Sequence, residues 1–171
     1  ILIFLPSVTN FRVNWLMDRL TAAKLAALAA EASPQGDIPP ALKVELLRAA
    51  QVRAIAIKRQ GERRLVLDDG MPPSVDQTYD LSLVRQPGIG LDTRLGMFHD
   101  AIALFFSSGD RTIRVVGQPV EGSDDIVDVV MHEGPLKAAM LRFGLNILGL
   151  SIIISIITAA MVYMEIGRAH V

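Results

Sequence analysis

The chain contains no cysteine, so neither a disulfide framework nor a thiolate metal site is possible, and the redox character of its compartment is not written in this chemistry. It also has no excess of basic charge. Lys and Arg number 17 against 18 Asp and Glu in 171 residues, and a nucleic-acid partner is not expected from such a balance. Charge is missing from two places in particular: residues 1–5 and residues 143–164 have none, and all but two of the charged side chains lie between Arg12 and Arg142. The mean hydropathy is positive, and this uneven distribution accounts for it.

Residues 143–164 are mostly Leu, Ile, Ala, Val and Met. As a helix rising about 1.5 Å per residue they would span roughly 33 Å, the depth of a hydrocarbon core. Asn146, Ser151, Ser155 and Thr158 are tolerable there because each can bond within its own helix or to a neighbour. Ser151, Ser155 and Ala159, four apart, are small enough for two copies to approach closely. At the other end, Ile1-Leu2-Ile3-Phe4-Leu5 is apolar up to Pro6, and residues 1–5 read as the end of a first membrane helix. Residues 165–171 read as the translation of a common sequencing adapter, with one Arg where a membrane exit usually carries a cluster of Lys and Arg. They are set aside from functional reasoning, and on that reading the natural protein continues past Met164.

Between these ends, residues 6–142 form the expected extracytoplasmic domain. A helix is expected over residues 6–32, with Val13, Leu16, Leu20, Ala23, Ala27 and Ala30 on one stripe. Met17, Leu25 and Leu28 lie off it, so a second face is covered either by the same domain or by a twin. Residues 33–40 break this helix. Residues 41–50 form another, with proline at its start and Leu42, Leu46 and Ala49 facing inward. Residues 52–58 and 63–67 read as a hairpin around Arg59-Gln60-Gly61-Glu62. Residues 79–84 make a short strand and residues 86–90 a loop. A helix over residues 92–106 runs through Leu95, Phe98, Ile102 and Phe105. Residues 112–116 and 126–131 are strand-like, and Gly134-Pro135 starts a last helix that runs into the membrane segment. The order predicts an α+β fold on an antiparallel sheet, with a long N-terminal helix, flanked by a partial and a complete transmembrane helix.

This order resembles the PAS-like sensor domains of bacterial two-component sensor histidine kinases. Leu5-Pro6-Ser7-Val8-Thr9-Asn10-Phe11-Arg12 and Ala139-Met140-Leu141-Arg142-Phe143-Gly144-Leu145-Asn146-Ile147-Leu148-Gly149-Leu150 are similar in wording to alphaproteobacterial members. The resemblance implies a periplasmic sensor domain on the bacterial inner membrane, contact with membrane lipid, and a homodimer. It also implies a parent carrying a HAMP linker, a phosphoacceptor helix and an ATP-binding kinase domain. That parent would autophosphorylate on His with ATP and Mg²⁺ and pass the phosphoryl group to a response regulator. No cofactor is expected in this part of the chain.

Several motifs invite a sharper reading and fail it. His132-Glu133 superficially matches a phosphoacceptor pair, yet Gly134-Pro135 follows at once and the segment precedes the membrane helix. It also lacks the second His of a zinc helix, and Gly88-Ile89-Gly90 has Thr93 where a nucleotide loop needs its third glycine. His99-Asp100 with Ser107-Ser108 has the residue types of a hydrolase but no evident convergence. Asp68-Asp69 and Asp124-Asp125 with Asp128 have oxygen ligands suited to Mg²⁺ or Ca²⁺, though solvated turn charge explains them as well. Arg85, Arg94, Arg111 and Arg114 are the candidates to hold a carboxylate on the sheet face. No catalytic residue and no metal ligand is assigned, and the ligand-binding residues stay unknown. The leading function is signal sensing by a sensor kinase; the rivals are the same module on a cyclase or chemoreceptor, a membrane-tethered binding or assembly protein, and, more distantly, an extracytoplasmic enzyme.

Overall fold

The computed structural model describes residues 4–32, 38–59, 62–70, 74–82, 111–119 and 125–169. Helix α1, Phe4–Glu31, runs 28 residues without an internal glycine, and its only proline, Pro6, stands in the first turn, where the missing N–H costs nothing. Its buried stripe is Val8, Arg12, Leu16, Leu20, Ala23, Ala27 and Ala30. The expected Val13 is only half-buried, and Arg12 takes the inward place. Leu16 and Leu20 are almost wholly buried, each stabilising the domain by roughly 1.5–3 kcal/mol. Leu25 and Leu28 are exposed, while Met17, on the same face, is half-buried against the core, so among the described residues that face of α1 is covered only at Met17.

Helix α2, Pro40–Ala50, follows Pro39 and ends at Gln51, whose left-handed backbone (φ 56°) lets the N–H groups of Gln51 and Val52 close on the carbonyls of Arg48 and Leu47. Its buried face differs in phase from the expected Leu42, Leu46 and Ala49. Leu47 and Ala50 are buried, Leu46 is half-buried, and Leu42 and Ala49 are exposed. The helix is rotated because Leu47 and Ala50 must reach the core while Lys43 reaches Asp68 on the neighbouring strand at 2.8 Å.

The sheet has five strands in the order β2-β1-β5-β4-β3: β1 Ala54–Arg59, β2 Glu62–Asp68, β3 Gln77–Asp80, β4 Thr112–Gly117 and β5 Ile126–His132. The expected hairpin is there, with Arg59 opposite Glu62. Strand β3 starts two residues earlier than the expected 79–84 and ends at Asp80, where Ser82 turns back on the Asp80 carboxylate through its N–H at 2.9 Å. The sheet is mixed rather than antiparallel, because β3 pairs with β4 in parallel. The chain between Asp80 and Thr112 is long enough for the crossover such a pairing needs. The helix expected over residues 92–106 and the loop over 86–90 lie outside the described residues.

One sheet face carries Ile55, Ile57, Ile113, Val115, Val127, Val129 and Met131 and packs on α1. Gly117 leaves no room for a side chain in that packing: a Cβ there would lie 2.8 Å from Leu20 Cδ1 and 3.2 Å from Leu81 Cβ. The second face, with Ala54, Ala56, Val130 and Asp128, is buried as well. The last helix, α3, Gly134–Ala169, runs 36 residues without a break.

Candidate functional site

Helix α3 has two unlike parts. From Gly134 to Ile147 one stripe faces the protein: Leu136, Met140 and Gly144 are buried, and Phe143 and Ile147 are half-buried. These positions recur every three or four residues, the spacing of a helix packed on a helix. The partner is α1, whose Phe11 ring stacks on Phe143 with centroids 4.2 Å apart and planes 10° from parallel. From Leu150 to Ile166 every side chain is exposed, although the stretch is almost wholly apolar. Ser155 and Thr158 return their hydroxyls to the carbonyls of Ser151 and Ile154, both at 2.8 Å, which leaves these polar groups satisfied within the helix. Among the described residues this is one helix long and apolar enough to cross a membrane.

The sequence candidates fall into three groups. Arg85, Arg94, His99, Asp100, Ser107, Ser108, Asp124 and the Gly88-Ile89-Gly90 loop lie outside the described residues. Arg114 is described but occupied: Nε donates to Asp128 Oδ1 at 2.9 Å and Nη2 to Oδ2, a two-pronged pair on the second sheet face that raises the Arg114 pKa. Arg111 is exposed, and its carbonyl accepts the N–H of Glu133. His132 is exposed at the end of β5, and Glu133 is buried at the entrance to α3.

The described acidic candidates are each held by a cation. Asp68 accepts from Lys43 at 2.8 Å and Asp69 from Arg53 at 2.6 Å. Asp125 lies 3.4 Å from Lys24 and 2.9 Å from Arg59, which also faces Glu31 at 3.9 Å. The hydrogen bond from Arg59, helped by Lys24, holds the Asp125 carboxyl below the usual range, and Lys43 does the same for Asp68. Among the described residues no three His, Asp or Glu side chains converge to hold a metal ion. Beside the Arg59 network, a groove of about 330 Å³ opens between the end of α1 and β2, lined by Ala30, Glu31, Arg59, Arg64 and Leu65 among others.

Sequence reasoning missed Arg12. It is 4% exposed, in an otherwise apolar stripe, and its guanidinium lies over the Tyr79 ring, 4.3 Å from the centroid. Its Nε and Nη2, and the hydroxyl of Thr9 one turn away, are buried and meet no hydrogen-bond partner among the described residues. A signal was available: with the stripe set at Leu16 and Leu20, a step of four residues back lands on Arg12, and a charge at a core position calls for an explanation.

No protein-family model matches the chain, and neither the curated proteins nor the solved structures contain a significant match to it.

Proposed function

We propose that the chain is the signal-sensing and transmembrane-signalling portion of a two-component sensor histidine kinase. In this reading residues 6–142 are a PAS-like sensor domain in the periplasm. Residues 143–164 cross the bacterial inner membrane, residues 1–5 end a first crossing, and two copies form a homodimer. The parent would use ATP and Mg²⁺ to autophosphorylate on His and would then serve a response regulator.

The observation that carries the reading is the continuity of α3. The same helix that begins at the sheet, directly after β5, packs on α1 through Phe143 and continues into the apolar stretch. A change in the sheet therefore reaches that stretch through hydrogen-bonded helix rather than through a loose linker. Receptor switching uses helix displacements of about 1–2 Å, and a stimulus drives one only by favouring one arrangement over the other. The antiparallel run β2-β1-β5-β4 and the long N-terminal helix support the PAS-like assignment.

Sequencing the source gene outward from the codons for Leu150 to Met164 tests this directly. The expected result is a HAMP-like segment, a phosphoacceptor helix and an ATP-binding domain. A stop codon just after Val171 would contradict it and leave a membrane-tethered binding protein; a cyclase or chemoreceptor output would keep the input role and replace the kinase.

A further inference from the structure

We propose that Arg12, Thr9 and Tyr79 form a binding site for a small monocarboxylate, buried between α1 and β3 beside the junction of α1 with α3. An arginine placed 96% out of solvent needs an acceptor, since a buried unpaired charge is strongly unfavourable. Tyr79 supplies the face of its ring, which attracts the cation but leaves Nε and Nη2 without a hydrogen-bond acceptor among the described residues. The two nitrogens left over, Nε and Nη2, form one edge of the guanidinium. That edge presents two parallel N–H groups, the fork that matches the two oxygens of a carboxylate. The Thr9 hydroxyl, three residues back on the same helix and itself without a partner among the described residues, supplies a third donor. One buried cation balances one negative charge, so a monocarboxylate fits better than a phosphate dianion.

By contrast, the fork of Arg114 is filled by Asp128, and Arg59 in the open groove is held by Asp125 and Glu31. Arg12 directly follows Phe11, whose ring stacks on Phe143. An anion docked at the fork therefore acts on the helical turn that contacts α3. That coupling rests on the signalling reading above; the site itself does not.

The test is a titration of the full chain in detergent micelles with sodium acetate against sodium chloride at equal ionic strength. The readouts are Tm and the fluorescence of Trp15, the single tryptophan, which lies one turn from Arg12 and has Arg19 over its ring at 4.7 Å. Acetate is expected to shift Trp15 emission saturably and to raise Tm. Arg12→Lys, which keeps the charge and loses the fork, is expected to weaken binding roughly 10-fold or more. Arg12→Met is expected to abolish the response while raising the ligand-free Tm, because an uncompensated buried charge gives way to an apolar side chain of similar length. If Arg12→Met does not fold, Arg12→Lys carries the comparison. A saturable response that persists unchanged in these variants would overturn the site, as would a flat response in the wild type, which would leave the fork hydrated. Tighter binding of inorganic phosphate than of acetate would overturn the carboxylate assignment. An acetate response in a protein whose gene encodes no kinase would preserve the site and remove only the output.

Discussion

The two parts of α3 are built from similar residue types and behave differently. In the first, Leu136 and Met140 are buried while Leu141 on the opposite face is 40% exposed, the pattern of a helix with one protein neighbour. In the second, Ile152, Ile153, Ile154, Ile156 and Ile157 are all more than half exposed, so no face is covered among the described residues. An apolar stripe asks for a partner on one side, whereas an apolar surface all round asks for a different solvent. Among the described residues the sheet domain buries a core and the distal rod does not.

The largest expected effect that would break this comparison comes from charge in the distal part. Ile153→Lys should cost about 2.5–3.5 kcal/mol of insertion free energy, and the protein should move from the carbonate-resistant membrane fraction to the soluble one. The complementary change in the first part is Leu136→Ala, which should lower the unfolding free energy of the domain by about 2–5 kcal/mol through the cavity it leaves. Ile156→Ala in the same denaturant titration should stay within about 0.5 kcal/mol of wild type. Equal effects of the two truncations would erase the distinction.

A third test concerns the close approach of α1 to the sheet at Gly117. Gly117→Ala forces Leu20 and Leu81 to give way and should cost about 1–3 kcal/mol, read as a lower Tm.

The smallest effect is electrostatic. Because Arg59 and Lys24 lower the Asp125 pKa in the folded state, the carboxylate contributes stability above its unfolded value, near 3.9, and loses it as pH falls through the folded value. The contribution of such a solvent-screened pair should be small. Asp125→Asn should flatten the acid side of the stability profile and leave pH 7–8 almost flat in both proteins.

What could be read from sequence follows from how local each signal is. The stripe from Leu16 to Ala30, the hairpin at Arg59 and Glu62 and the unbroken rod from Gly134 are set by periodicity and turn residues, and all are present. The phase of α2 was missed because Leu42, Leu46, Leu47 and Ala49 offer two overlapping stripes, and the choice is made at a distance by Asp68 holding Lys43. The parallel pairing of β3 was missed because strand direction depends on the path of the intervening chain, which four residues of alternating pattern do not encode. Of the candidate arginines, Arg114 illustrates the limit most clearly: its partner Asp128 is diagonal to it across two strands, a relation that appears only once the register is known. Arg12 was legible in principle, as a charge on the apolar stripe, but Val13 offered the pattern an easier continuation.

The most direct test of whether the continuous helix enters a membrane uses the absence of cysteine, which makes single-cysteine substitutions specific reporters. Cysteines placed one at a time from Lys137 to Ile166, in cells expressing the full chain, would be treated with a membrane-impermeant maleimide. Labelling is expected at exposed positions of the first part such as Ala138 and Leu141, and protection at every position from Leu150 to Val162, all of which are exposed in the isolated chain. Labelling throughout residues 150–162 would contradict membrane entry, because that stretch would then face water.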